Sequence, residues 1–271
     1  MSWNWINPND YSFSSFLLLE RFQIRIMMRG NSEEWKRNMG IALNANPAVK
    51  WYLTRRCPEC SLMIEECAAN APVVSEADEI RSAEMYILLS VEDFTVYTTP
   101  EVMAEKCDFI RGWSKERLFG LADLTGKIVL DVGAGSGRLT FAAAEKAAWI
   151  YASEPVGTLR EFMRDKIARE GITNVRVLDG LVMELPFPDN TFDIVMSGHV
   201  VGDDWDNEIA ELARVCKNGG RLLNCPGDSE RDIKPCADLT SRGWEELHYV
   251  GSFGKNVYIH RKQVVKYSSL T

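Results

Sequence analysis

The sequence lacks any cluster of basic residues. Its 271 residues include 31 Lys and Arg against 39 Asp and Glu, a formal net charge of −8 at pH 7, and no Lys/Arg-rich block interrupts this acidic balance. Proteins that bind nucleic acids or anionic membranes use basic residues to neutralise phosphate charge. The composition therefore argues against a general nucleic-acid or membrane binder, and we expect neither as a partner.

Long apolar runs are also missing. The most apolar early stretch, residues 16–28 (FLLLERFQIRIMM), is too short to span a bilayer and contains three charged residues. No secretory leader is recognisable, and the seven cysteines are an odd number spread over a long chain. A disulfide framework is not expected in such a chain, and the sequence indicates a reducing, cytoplasmic location.

Three regions differ in their patterns. Residues 1–30 show little periodicity and are expected to be a poorly integrated extension, whereas residues 31–124 have helical periodicity and Pro/Asn punctuation, typical of a helical cap or lid. Residues 125–271 alternate short Val/Ile-rich runs with helical stretches, which predicts a parallel sheet with crossover helices. Strands are expected at 127–132, 149–153, 174–178, 192–197 and 221–224, followed by a hairpin at 244–251 and 256–262. The fold class is therefore α/β, a doubly wound, Rossmann-like, seven-stranded sheet with an antiparallel C-terminal hairpin.

A strand followed by a glycine loop is the sharpest motif. Residues 128–137 read IVLDVGAGSG, and such loops present backbone N–H groups to a ligand at the start of a helix. A dinucleotide fingerprint has its third glycine one residue later, where this chain has Arg138. Asp131 at the mouth of the strand repels a pyrophosphate and attracts a cation. These residues favour a positively charged ligand without phosphate, such as S-adenosylmethionine.

A second acidic residue ends the next strand. Glu154 lies 21 positions after Gly133, where a carboxylate can accept hydrogen bonds from both hydroxyls of a ribose. The alternatives are a solvated loop carboxylate for Glu154 and a plain tight turn for the glycine loop.

Taken together, these motifs resemble class I S-adenosylmethionine-dependent methyltransferases, within the small-molecule branch that includes quinone-biosynthesis-like enzymes. The resemblance covers residues 125–262 and rests on VLDVGAGSGRLT at 129–140, Glu154, LPFPDNTFD at 185–193 and ELARVCKNGG at 211–220. It implies methyl transfer to a small-molecule acceptor, with S-adenosylhomocysteine as the second product. The cofactor residues it implies are Asp131, Gly133, Ala134, Gly135, Gly137, Glu154, Pro155, Asp179, Gly180, Leu181, Val182, Ser197 and His199. Relatives often have Asp where this chain has Leu181, so Asp179 or a backbone carbonyl is expected to meet the adenine amino group, beside the N–H of Val182.

The residues after the fourth strand are expected to face the transferred methyl group. His199 is the candidate catalytic base, because an imidazole titrates near neutrality; the alternative is that it packs there without proton transfer. The adjacent Asp203 and Asp204 offer, together with Asp228, carboxylates for a divalent ion, but adjacent Asp residues more often cap the following helix. Tyr97 and Trp113 are the candidate lid residues, with core aromatics as the alternative.

Cys57, Cys60 and Cys67 form half of a metal-site pattern. A structural zinc ion needs four ligands, and no second C-x-x-C or nearby His accompanies these cysteines, so no metal is expected. We expect structural cysteines at the start of a helix. The alternatives are a zinc ion completed by Cys107 or Cys236, a redox pair, or thiol ligands of a metalloid-directed methyltransferase. A protein that binds S-adenosylmethionine without catalysis is the other alternative to an enzyme.

Overall fold

The computed structural model describes residues 4–266 and divides the chain into two compact units. Within the described range, unit 1 runs to Lys106 and also contains Val156–Thr158; unit 2 begins at Cys107 and contains the remaining residues. This division lies before residue 125, where the sequence pattern changes. No helix among residues 4–266 is both long and apolar enough to cross a bilayer.

Unit 1 is helical. Its α-helices are α1 (Arg21–Met27), α2 (Glu33–Ala45), α3 (Pro47–Arg56), α4 (Ser61–Asn70), α5 (Ala77–Ser90), α6 (Glu92–Tyr97) and α7 (Pro100–Lys106), with 3-10 helices at Pro8–Asp10, Phe13–Leu18 and Pro58–Cys60. In α2, the Ser32 side chain accepts the N–H of Trp35 at 3.2 Å and so caps the helix start. Trp35, Met39 and Leu43 are buried at a spacing of four residues, and Ile41 and Ala42 are buried as well, so the second half of α2 is enclosed on more than one face.

The N-terminal segment contradicts the expected poorly integrated extension for residues 4–30; Met1–Trp3 lie outside the described residues. Phe13, Phe16 and Ile24 are buried within unit 1. The buried carboxylate of Glu92 accepts the backbone N–H groups of Trp5 at 2.5 Å and of Ile6 at 3.3 Å. Burial of the apolar side chains and this long-range anchor make the segment part of unit 1.

The helical periodicity of the sequence predicts helices at residues 58–69 and 101–112, and the structure gives both of them different bounds. The helix expected at 58–69 begins as the 3-10 turn Pro58–Cys60 and continues as α4. The helix expected at 101–112 ends at Lys106, and the side chain of Asp108 accepts the N–H of Phe109 at 3.0 Å. A local side-chain bond of this kind competes with the hydrogen bonds of a continuing helix.

Unit 2 contains the expected seven-stranded sheet. Its elements are α8 (Glu116–Leu121), β1 (Ile128–Val132), α9 (Arg138–Ala144), β2 (Trp149–Ser153), α10 (Gly157–Glu170), β3 (Val175–Leu178), β4 (Phe192–Ser197), α11 (Trp205–Val215), β5 (Cys216–Asn224), α12 (Ala237–Ser241), β6 (Glu245–Val250) and β7 (Asn256–Gln263), the first two residues of α10 counting with unit 1. The strand order is β3-β2-β1-β4-β5-β7-β6. The first five strands are parallel, and β7 runs antiparallel to both β5 and β6, so the doubly wound α/β fold with its C-terminal hairpin is confirmed.

The sheet buries apolar residues on both faces. Val129, Ile194 and Leu223 belong to the cluster that also contains residues of α8 and α9. Leu130, Val195 and Leu222 belong to the cluster that contains residues of α11 and Leu239 of α12. Strands buried on both faces read as continuous apolar runs, and this is why periodicity located them. Their carboxyl ends form the edge where ligands bind in open α/β sheets.

Candidate functional site

The glycine loop leaves β1 in a backbone conformation that side chains disfavour. Gly133, Gly135 and Gly137 have φ values of 63°, 59° and 91°. A Cβ atom on Gly137 would lie 2.3 Å from Cε2 of Phe141, and one on Gly133 would lie 2.4 Å from Cγ2 of Val200. The loop therefore requires glycine both for its conformation and for its close packing at the start of α9.

Glu154 lies against this loop. Its side chain is buried, and its Oε2 atom accepts the N–H of Gly135 at 2.8 Å. The neighbouring Ser153 carbonyl accepts the N–H of Gly133 at 2.8 Å and that of Ala134 at 3.2 Å. The end of β2 thus holds the loop in place with backbone bonds and directs one carboxylate at its middle glycine.

Asp131 is the second buried carboxyl group of this region. It is 1% exposed, and its Oδ2 atom accepts the hydroxyl proton of Thr140 in α9 at 2.6 Å. Burial raises the pKa of Asp131 to about 7, although the Thr140 hydrogen bond and the charge of Arg138 act in the opposite direction. Near neutral pH the protonation state of Asp131 is therefore sensitive to nearby charge, and a cation close to it favours the ionised form.

The segment after β3, residues 179–182, has exposed side chains beside hydrogen-bonded backbone groups. The side chain of Asp179 is mostly exposed and pairs with Arg160 at 3.2 Å, and Arg160 also donates to the Glu154 carbonyl at 2.7 Å. The Gly180 carbonyl accepts the Ser153 hydroxyl at 3.1 Å, and a Cβ atom on Gly180 would lie 2.4 Å from that hydroxyl oxygen. Leu181 is exposed. The predicted adenine contacts of Asp179, Leu181 and Val182 stay predictions.

The carboxyl end of β4 carries two unusual residues. Ser197 is fully buried, and its hydroxyl has no hydrogen-bond partner in the described part of the chain. His199 is solvent accessible but has a φ of 61°, a strained value for a side chain of this size. Its ring lies 5.2 Å from the Phe109 ring. The protein packed around the imidazole, and to a smaller extent the positive charge of Arg138, lower the pKa of His199 below its ordinary value, although the residue keeps contact with solvent.

Arg138 is a further candidate site residue, and the sequence motifs do not predict a role for it. Its Nη2 atom donates to the Cys225 carbonyl at 2.8 Å, and its guanidinium carbon lies 4.5 Å from the centre of the Trp113 ring. Burial lowers the pKa of this guanidinium. The only signal in the sequence is its place directly after the third glycine, where a dinucleotide fingerprint would have another glycine.

The two candidate lid residues belong to different units. Tyr97 ends α6 in unit 1, where its carbonyl accepts the Thr158 hydroxyl at 2.7 Å. Trp113 lies in unit 2, half-buried against Arg138. Their roles at a ligand stay predictions.

The acidic and cysteine candidates for metal binding have other roles. The Asp204 side chain caps α11 by accepting the backbone N–H of Asn207. Its Oδ2 atom also accepts a proton of the Asn207 side-chain amide at 2.8 Å. The Sγ atoms of Cys57 and Cys60 lie 3.2 Å apart. Across residues 4–266, however, no group of three or more His, Cys, Asp or Glu side chains could hold a metal ion. Cys67 therefore does not complete a three-thiol site with the pair.

Comparisons with known proteins bear on the same part of the chain. A sequence model of the methyltransferase domain matches residues 129–220. A demethylmenaquinone methyltransferase of Thermobifida fusca is 34% identical over 120 residues, which are 42% of this chain and 50% of that protein. One of Geobacillus stearothermophilus is 32% identical over 113 residues, 40% of this chain and 48% of that protein. The chain thus spans about half the length of the curated relatives it matches.

A solved structure supports the fold. The S-adenosylmethionine-dependent methyltransferase of Aquifex aeolicus matches with a TM-score of 0.50 and 21% identity, covering 61% of this chain and 98% of that one. At this identity the likeness concerns the architecture alone. The segment that matches the methyltransferase domain, residues 129–220, includes β1 from its second residue onward, the glycine loop and Glu154.

Proposed function

We propose that unit 2 is a class I S-adenosylmethionine-dependent methyltransferase domain, which binds S-adenosylmethionine at the carboxyl ends of β1, β2 and β4 and transfers its methyl group to a small-molecule acceptor. The match of residues 129–220 to a methyltransferase domain supports this proposal. One contact carries the proposal. The buried Glu154 carboxylate meets the N–H of Gly135 at 2.8 Å and so joins the two motifs that recognise a nucleoside in this family.

The residues present fit such a cofactor. Gly133, Gly135 and Gly137 keep the loop free of side chains, and Gly180 leaves the same freedom beside Ser153. The buried Ser197 hydroxyl, which has no partner among residues 4–266, offers a polar contact at the end of β4. These features would let the cofactor approach the backbone of the loop closely and would offer it hydrogen-bond donors and acceptors.

Each residue has a distinct proposed role. Glu154 accepts hydrogen bonds from the ribose hydroxyls while Gly135 holds its carboxylate in position. Asp131 supplies negative charge on the side of the sulfonium and ammonium groups. Ala134 and Pro155 border the nucleoside, and Asp179, Gly180, Leu181 and Val182 border the adenine.

Alignment is the main catalytic task of the chain. A sulfonium is a good leaving group, so transfer is an in-line displacement that depends on holding the acceptor atom, the methyl carbon and the sulfur in a line. His199 and Ser197 lie where they can orient the acceptor and the methionine end, respectively. The pKa of His199 is lowered below the ordinary value of 6.5, so the imidazole is neutral at physiological pH and is a weaker base than an ordinary histidine. We assign it a positioning role, with proton removal optional.

The acceptor is proposed only by class. The relatives named above are demethylmenaquinone methyltransferases, and the chain covers only half of each, so their acceptor does not transfer directly. We propose an uncharged or cationic acceptor, because the Asp108 carboxyl group acts electrostatically on His199, the residue expected to face the methyl group. Trp113 is a candidate wall for it, and the helical region 31–124 a candidate lid. A protein that binds the cofactor without catalysis would share every one of these features.

Label transfer tests the proposal. The chain is incubated with S-adenosylmethionine carrying a radioactive methyl group and with small-molecule extracts fractionated by polarity. We expect label in one small-molecule fraction, and less label with the Glu154→Ala variant when S-adenosylmethionine is below the concentration that saturates the unaltered chain. Cofactor binding without label in any fraction would support the non-catalytic alternative.

A further inference from the structure

The turn between α3 and α4 holds two thiols in contact. The Sγ atoms of Cys57 and Cys60 lie 3.2 Å apart, and the Cys60 N–H donates to the Cys57 carbonyl at 3.0 Å, closing a four-residue turn. The ends of such a turn lie within 7 Å of each other at Cα, inside or close to the range that a disulfide spans. The turn therefore needs little backbone movement to bring the sulfur atoms to bonding distance.

The surroundings of the pair disfavour a metal site. Both thiols are buried, and residues 4–266 provide no third or fourth ligand to complete a metal-binding group. Structural zinc requires four. Two thiols in contact, without further ligands, are instead the arrangement that two-electron oxidation converts to a disulfide.

We propose that Cys57 and Cys60 form a modification site, in which a peroxide joins their sulfur atoms in an intrachain disulfide that a dithiol reductant reopens. Two S–H bonds break and one S–S bond forms. The O–O bond of hydrogen peroxide is reduced, and the two thiol hydrogens leave in two molecules of water. The site lies wholly within unit 1 and does not depend on the proposed methyltransferase function.

The reaction is expected to be slow at neutral pH. The thiolate is the reactive form of cysteine, and burial, reinforced by the Cys60 hydrogen bond, raises the pKa of Cys57 to about 12. Cys60, which is 9% exposed, is the more accessible sulfur and the expected point of entry for the oxidant. Oxidation should therefore accelerate as pH rises from 7 to 9.

Mass spectrometry of the full chain tests the site. The reduced protein is treated with hydrogen peroxide, denatured, blocked with N-ethylmaleimide and weighed before and after reduction with dithiothreitol. We expect a species that lacks the mass of two hydrogens, resists blocking at two cysteines and disappears on reduction. Fragmentation of the tryptic peptide 57–81, which contains Cys57, Cys60 and Cys67, should place the bond between the first two.

Three variants and a probe make the outcome decisive. Cys57→Ser and Cys60→Ser should each abolish the species, whereas Cys67→Ser, at a cysteine that is also buried, should retain it. Phenylarsine oxide, which bridges neighbouring thiols, should block it in the unaltered chain, so the test does not depend on the folding of the variants. Absence of the species, a bond to Cys67, or its persistence in Cys60→Ser would overturn the proposal.

Discussion

Asp131 and Glu154 are both buried carboxyl groups of unit 2, but their surroundings differ. Glu154 accepts a backbone N–H from the glycine loop, whereas Asp131 accepts a single hydroxyl proton and has a pKa raised to about 7 by burial. A carboxyl group with a raised pKa destabilises the folded state when it ionises. Unit 2 thus contains one buried carboxyl group, that of Asp131, whose ionised form a nearby cation would stabilise.

The Asp131→Asn variant tests this charge. The ordinary pKa is 3.8, so the folded state holds the Asp131 proton more tightly, and the stability of the unaltered protein should fall as pH rises from about 4 to about 7. The full shift is worth roughly 4 kcal/mol. The melting temperature of Asp131→Asn relative to the unaltered chain should therefore increase between pH 5 and pH 8. A difference that is constant with pH would show that Asp131 keeps an ordinary pKa.

His199→Gln separates positioning from proton transfer. Loss of a general base typically lowers a rate by about 10²–10⁴-fold. Because its pKa is lowered, His199 should instead contribute to orientation, and the variant should lose less than about tenfold in methyl-transfer rate on an identified acceptor. The rate of the unaltered enzyme should show no inflection from this group between pH 5.5 and 8. A hundredfold loss together with such an inflection would establish His199 as the base.

The residues of the site differ in how far the sequence reveals them. Asp131, the glycines and Glu154 can be proposed as site residues from their positions in the sequence, because a strand that leads into a glycine loop is a specific motif. Arg138 and Phe109 escaped assignment because their roles depend on stacking with Trp113 and His199, contacts between distant parts of the chain. Periodicity carries no information about such contacts.

At the scale of elements, the glycine loop is the most constrained connection. Gly137→Ala places a side chain at φ 91° and against Phe141, whereas Gly171→Ala faces open space at φ 64°. Chemical denaturation should show a loss of about 1–2 kcal/mol for Gly171→Ala from backbone strain alone and about 2–4 kcal/mol for Gly137→Ala. Only Gly137→Ala should weaken cofactor binding. Equal effects of the two substitutions would contradict the assigned role of the loop.

The N-terminal segment offers a matched pair within one 3-10 helix. Phe16 is fully buried in unit 1, whereas Leu18 in the same helix is 48% exposed. Phe16→Ala should lower the free energy of unfolding by about 3–5 kcal/mol, and Leu18→Ala by less than about 1 kcal/mol. If denaturation shows both to be neutral, the segment does not contribute to the core of unit 1.

The regularity of an element decides how well the sequence predicts it. The predicted bounds of the strands of unit 2 agree with the structure to within one residue, except that β5 begins at Cys216 and not at residue 221. Agreement is close because strands buried on both faces alternate with helices and are followed closely by glycine or proline. The N-terminal segment was misjudged because its elements are short 3-10 helices without a sustained period. Its integration depends on burial and on Glu92, which lies more than 80 residues away in sequence.

For the whole molecule, charge and architecture lead to the same ligand class. The acidic balance of −8 argues against polyanionic partners. The seven-stranded sheet provides a ligand-binding edge, and the two carboxylates there favour a cationic nucleoside over a dinucleotide. The central claim is therefore that the chain binds S-adenosylmethionine and its product.

Isothermal titration calorimetry with S-adenosylhomocysteine tests that claim most directly. The unaltered chain should bind one equivalent and should not bind NAD. Glu154→Ala should weaken the affinity by about tenfold or more, the value of a charged hydrogen bond, while Glu161→Gln, which removes the same charge at an exposed position of α10, should leave it unchanged. No binding at millimolar S-adenosylhomocysteine, or equal affinity for the Glu154→Ala variant, would contradict the account.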